Sequence, residues 1–152
     1  MINEFEVYRR AIADYGKMPQ KIKAIEEMAE LIEALTLGNV SMITEEMADV
    51  SIMLSQLELI YDNSEEVAGY KRDRSKRRAR KIKPIAELSK LIQVIAKGND
   101  LCLVAEKMAD AYIMLDHLKA VYFNSRDVET YRRAKLERLD CRLDKLEEGK
   151  FA

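Results

Sequence analysis

Two acidic strings, Glu26-Glu27-Met28-Ala29-Glu30 and Glu45-Glu46-Met47-Ala48-Asp49, carry the side chains best suited to chemistry in this sequence. Glu27 with Glu30, and Glu46 with Asp49, stand three residues apart, a spacing that sets two carboxylates side by side on a helix. An antiparallel hairpin of two such helices brings the pairs face to face. Four carboxylates held that close repel and raise one another's pKa, so the arrangement is costly without a cation. Mg²⁺ suits it, with Mn²⁺ as an alternative, because a hard ion takes carboxylate oxygens and keeps positions for water and phosphate. The competing reading is a pair of solvated helix faces, which a helical chain with 27 acidic residues also produces by accident. Two features favour metal. On a helical wheel Glu27 and Glu30 share a side with Leu31 and Ala34, while Ile25, Met28, Ala29 and Ile32 take the opposite side, so both acids are expected to be partly withdrawn from solvent. The other feature is an altered second copy of the same strings.

That copy emerges when the chain is compared with itself. Residues 21–39 align with 81–99 at an offset of 60 and are identical at nine of nineteen positions, among them Glu27/Glu87, Leu31/Leu91 and Gly38/Gly98. After a one-residue insertion, 45–77 align with 106–138, matching at Glu45/Glu106, Met47/Met108, Ala48/Ala109, Asp49/Asp110, Tyr61/Tyr122, Asn63/Asn124 and Tyr70/Tyr131. The chain is a tandem duplication, divided here into repeats 1–82 and 83–152 packed as one globular unit. The second repeat has lost the acid set: Ala86, Lys90 and Lys107 replace Glu26, Glu30 and Glu46, whereas Glu87 and Asp110 persist. Lysines pairing with Glu87 and Asp110 would supply the charge that a vacated metal site lacks. One metal site per chain is therefore expected, in the first repeat.

The elements that must position these acids are helices. Five Gly and two Pro in 152 residues leave few breaks, and 35% charged beside 48% hydrophobic residues suits amphipathic helices rather than disorder or a β sandwich. A leading helix is expected over 2–16. Ile25, Met28, Ala29, Ile32 and Leu35 recur at helical spacing up to Gly38-Asn39, a favourable stop, and the next helix is expected to begin near Ser41 or Thr44. Met47, Val50, Leu54 and Leu57 carry it to about Tyr61, and Asn63-Ser64 before Glu65-Glu66 starts a third near Ser64. Pro84 sets a boundary near Lys83. The expected fold is all-α, with a four-helix core built from one hairpin of each repeat, the repeats together forming an intrachain pseudo-dimer.

The net charge of −1 gives no reason to expect nucleic acid as a partner, and no apolar run approaches the length of a membrane span. The N-terminal residues lack the basic-then-apolar order of a signal peptide, so a cytoplasmic location is expected. Cys102, Cys141 and the single His117 form neither a disulfide framework nor a zinc set. Met47, Met53, Met108 and Met114 read as core filler, and the paired tyrosines as packing residues first.

The pattern EExxE, a gap, then ExxD resembles the all-α nucleoside triphosphate pyrophosphohydrolases, which include MazG-like proteins, dimeric dUTPases and phosphoribosyl-ATP pyrophosphohydrolases. Glu26 to Glu30, a fifteen-residue gap, and Glu46-Met47-Ala48-Asp49 match it, and the string from Glu45 to Leu54 is especially similar to MazG-like proteins of phages and Gram-positive bacteria. The resemblance covers about residues 8–82, with 82–143 as a degenerate copy. It implies that Glu27, Glu30, Glu46 and Asp49 hold Mg²⁺ and that the substrate is a nucleoside triphosphate cleaved between the α- and β-phosphates. It further implies a metal-activated water that attacks the α-phosphorus, oriented or deprotonated by Glu26 or Glu27. Family members place their sites between helices of two units, which implies that the second repeat is a built-in partner that shapes the pocket. A homo-dimer of such pseudo-dimers is a further expectation.

Nine of the thirteen residues from Lys71 to Lys83 are basic. Arg74, Arg77 and Lys81 fall on one helical face and are the candidates for binding substrate phosphates, with Lys135, Arg138 and Arg142 at equivalent positions of the second repeat. The family's third helix likewise often ends in a Lys/Arg-rich stripe. The plainer reading is a solvated face that balances the acid-rich residues 1–61. The rival to an enzyme is a non-catalytic nucleotide-binding or interaction module that uses this basic segment.

Overall fold

The structure is a computed structural model that describes residues 1–75 and 83–151. Among them lie seven α-helices and no strand: α1 (Glu4–Tyr15), α2 (Lys17–Leu37), α3 (Val40–Tyr61), α4 (Ser64–Ser75), α5 (Pro84–Lys97), α6 (Leu101–Tyr122) and α7 (Ser125–Lys150). The expected all-α class holds. No helix among the described residues is long and apolar enough to cross a membrane.

Local chemistry sets most of the boundaries. Gly38 and Gly98 end α2 and α5 in the left-handed conformation, at φ 68° in both cases, where a side chain would be strained. Asn39 caps α3, its side-chain oxygen accepting from the Met42 amide at 3.1 Å, so that helix starts at Val40, ahead of the Ser41 or Thr44 expected from sequence. Thr44 is no cap; its hydroxyl donates back to the Val40 carbonyl at 2.8 Å. Asp100 caps α6 as Asn39 caps α3, through the Leu103 amide. Pro84 occupies the first turn of α5, at the boundary its ring predicts.

The antiparallel hairpins α2–α3 and α5–α6 supply almost all of the main core, in which Met28, Leu31, Ile43, Met47, Leu54, Leu57, Leu88, Leu91, Met108 and Met114 are fully buried. Each such side chain contributes roughly 2 kcal/mol of transfer free energy. The four methionines fill this core, as their spacing predicts. Helix α2 packs on α5 and α3 on α6, while the third helix of each repeat crosses to the other repeat: α4 packs on α6, and α7 on α3. Two asparagines in the turns before these third helices lie across the same boundary. Asn63 faces the sulfur of Met108 at 3.5 Å, and Asn124 faces that of Met47 at 3.6 Å while donating to the Thr44 hydroxyl at 2.9 Å.

Helix α1 braces α7 against α3. Val7, Tyr8 and Ala11 form a second apolar cluster with Ile52, Leu136, Leu139 and Leu143. Around it, Arg10 contacts Asp140, Asp144 and Glu147 at 2.6 to 3.0 Å, Arg132 pairs with Glu4 at 2.6 Å, and Lys150 with Asp14 at 2.6 Å. This clasp fixes the helix that becomes one wall of the site.

Candidate metal centre

Glu27 projects from α2, and Glu46 and Asp49 from successive turns of α3, so the hairpin converges three carboxylates whose oxygens lie within 4.8 Å of one another. Glu27 is only 6% exposed; one of its oxygens accepts an ion pair from Lys23 at 2.7 Å, and the other, Oε2, is buried without a partner. The Oε2 of Glu46 is buried and partnerless as well. Burial first, and then the charges of Asp49, Glu30 and Glu27, push the Glu46 carboxyl up to about 8. Burial also raises Asp49, although Lys135 opposes the shift. Near neutral pH this cluster therefore holds a proton that a cation would displace. Three hard oxygen donors and two orphaned buried oxygens are a donor set that fits Mg²⁺ or Mn²⁺.

The other candidates sit at the rim. Glu30 is exposed, yet near enough to Glu46 to raise its pKa by charge and hydrogen bonding. The shared face inferred from the wheel thus buries Glu27 but leaves Glu30 exposed. Glu26 is exposed and lies 3.5 Å from Lys23.

The acids line a cleft of about 1420 Å³ whose far side is α7. Lys135, Arg138, Arg142 and Lys145 repeat at spacings of three, four and three along that helix, and all four line the cleft. Lys135 reaches furthest, at 2.6 Å from Asp49 and 3.4 Å from Glu45. Carboxylates for a cation thus face bases for an anion across one groove.

Arg74 stands elsewhere. Because α4 crosses to α6, Arg74 pairs with Glu106 and, at 3.0 Å, with Asp110, and it faces the second repeat's acids rather than the Glu27–Glu46–Asp49 set. Arg77 and Lys81 lie outside the described residues. In the second repeat Lys90 contacts Glu87 and Lys107 contacts Asp110, each at 3.5 Å, so side-chain cations stand where the first repeat has Glu30 and Glu46. This is the compensation that the substitutions predict.

Sequence reading gave no role to the bases of α7 at the first repeat's acids, nor to Gln20 and Gln56. Lys135, Arg138 and Arg142 were legible as equivalents of Arg74, Arg77 and Lys81, but Lys145 and the exchange of third helices were not. The glutamines carry no motif; they line the same cleft and hydrogen-bond each other at 2.8 Å while buried at 7% and 1% exposure. No protein-family model, curated protein or solved structure matches this chain.

Proposed function

We propose that the chain is a Mg²⁺-dependent nucleoside triphosphate pyrophosphohydrolase with one working site, formed by the first repeat's acids and the second repeat's third helix. The observation that carries this reading is the pairing across one cleft of three converging carboxylates, two with orphaned buried oxygens, and the basic row Lys135, Arg138, Arg142 and Lys145. Such a groove suits a ligand that brings both a divalent cation and a chain of phosphates. The EExxE and ExxD strings supply the same carboxylates, and their loss from the second repeat matches a single site.

In this reading Glu27, Glu46 and Asp49 hold the ion, and Glu30 joins them at the rim. A bound Mg²⁺ supplies neutralisation of phosphate charge and a more acidic water. The α7 bases hold the β- and γ-phosphates and so orient the chain with its α-phosphorus toward the acids. The oxygen of a water bonds to the α-phosphorus as the α–β bridging bond breaks, releasing pyrophosphate and a nucleoside monophosphate. Glu26 or Glu27, both of which line the cleft, orients this water and accepts its proton.

The rival reading, a binding module built on residues 71–83, draws no support from Arg74, which is engaged with Glu106 and Asp110. Pyrophosphate release from canonical and modified nucleoside triphosphates, with Mg²⁺, Mn²⁺ or EDTA, tests the proposal. Release that needs metal, is abolished in Asp49→Asn and is retained in Glu87→Gln is expected. No release from any nucleotide, or release that survives Asp49→Asn, sinks it.

A further inference from the structure

We infer that the buried amide pair Gln20–Gln56 is a base-reading subsite, which selects a nucleotide by hydrogen-bonding the polar edge of its base. The inference rests on the proposed nucleotide site and names the part of that site that decides specificity. Gln20 lies seven residues before Glu27 on α2, and Gln56 seven residues after Asp49 on α3. Seven residues are close to two full turns, so each glutamine stands on the same helix face as its acid, about 10 Å along the axis. The two helices run antiparallel, so both displacements point the same way along the cleft. The amide pair therefore meets a ligand at one fixed remove from the carboxylates, roughly the reach from a 5′-phosphate to the far edge of its base.

The chemistry at that end matches. Gln20 Nε2 donates to Gln56 Oε1, which leaves the Gln20 carbonyl as an acceptor and the Gln56 amino group as a donor, and both residues line the cleft. An adjacent donor and acceptor is what a nucleobase edge presents in return. Between acids and amides the wall carries Ile52 and Met53 from α3 and Ile22 from α2, an apolar surface on which a flat ring packs, with Lys23 beside it. The mutual bond ties the two amides into one unit that keeps one carbonyl and one amino group for a ligand whichever way the pair is turned.

The second repeat supplies an independent observation. At the position of Gln56 it has His117, exposed where Gln56 is buried, and the register that pairs Lys21 with Lys81 sets Arg80 opposite Gln20. The amide pair is thus present only in the repeat that retains the acid set. A hydrogen bond serving merely to tie two helices would be as useful in both.

The test is equilibrium binding of the four deoxynucleoside triphosphates, as α,β-imido analogues that resist cleavage, in Mg²⁺ by calorimetry, with inorganic tripolyphosphate as the base-free probe, on wild type and on Gln20→Leu/Gln56→Leu. Replacing both partners with apolar groups of similar shape avoids the orphaned amide that a single change would bury, and a melting curve verifies the fold. We expect wild type to spread the four nucleotides over at least about tenfold in affinity, as one selective hydrogen bond allows. In the double variant that spread collapses toward the tripolyphosphate value, which itself stays unchanged. An unchanged ranking in the variant, or a wild type that binds all bases no better than tripolyphosphate, overturns the inference while pyrophosphate release still stands. Base-selective binding without release leaves the amide subsite in place and overturns the hydrolase reading instead.

Discussion

Converting Glu46 to Gln tests the electrostatics of the acid set directly. Its carboxyl is held at about 8 in the folded chain against an ordinary 4.5, so between those values the folded state keeps a proton that the unfolded state has lost. Stability from this group is therefore full below about pH 4.5 and is lost as pH rises through about 8. At about 1.4 kcal/mol per pH unit the gap would bring about 5 kcal/mol for a fully buried group. Glu46 is only partly buried, and solvent screening reduces this to about 2 kcal/mol. In EDTA, urea unfolding of the wild type should lose about 2 kcal/mol more than Glu46→Gln between pH 5 and pH 9, a difference of roughly 4–8 °C in melting temperature for a chain of this size. Near pH 9 the variant should be the more stable protein. Saturating Mg²⁺ should then reverse the order, adding about 2.7 kcal/mol to the wild type at a hundred times its Kd and little to the variant. Equal pH slopes for the two proteins, or a variant that is less stable near pH 9 in EDTA, would refute the view that Glu46 carries repulsion relieved by a cation.

Three further outcomes follow from particular contacts. Lys135→Met removes the ammonium that stands 2.6 Å from Asp49, so direct titration should show Mg²⁺ binding the nucleotide-free variant several-fold more tightly and tripolyphosphate binding it more weakly; unchanged affinities for both would contradict the placement of Lys135 between cation and phosphate. Arg74→Ala strips Asp110, whose side chain is 10% exposed, of its closest cation, and should cost about 2 kcal/mol in urea unfolding. Metal-dependent binding should stay at the wild-type level in that variant, and its loss would tie Arg74 to the first repeat's site after all. Phe123 is 93% exposed and adopts φ 51°, a conformation that suits Gly, so Phe123→Gly should raise stability by about 1 kcal/mol with no packing lost; a lower melting temperature would mean that the ring is held by something outside this chain.

Much of this molecule was legible before any coordinates. The all-α class, the stops at Gly38 and Gly98 and the boundary at Pro84 follow from local rules of spacing, capping and backbone freedom that a sequence states directly. Of the four carboxylates expected to converge, Glu27, Glu46 and Asp49 do, because an i, i+3 pair on a short-turn hairpin has little choice of direction, whereas Glu30 stays at the rim. The start of α3, expected near Ser41 or Thr44, falls at Val40, one residue before the first of these, because Asn39 takes the cap through its bond to the Met42 amide.

What the tertiary structure decided is which repeat serves which. Helical periodicity says that a face is apolar but not what will cover it, and Arg74 and Lys135 are equivalent in sequence. The crossing of α4 to α6 and of α7 to α3 sends Arg74 to Glu106 and Asp110, and Lys135 to Glu45 and Asp49. Glu30 exposed and Glu27 buried stand less than one turn apart on one helix, a distinction that helical spacing alone does not make. Gln56 and His117 hold the same position in two repeats, and only packing against the rest of the chain buries the one and exposes the other. Local rules act within a few residues, whereas burial and pairing belong to surfaces that meet only after the two copies have closed on each other.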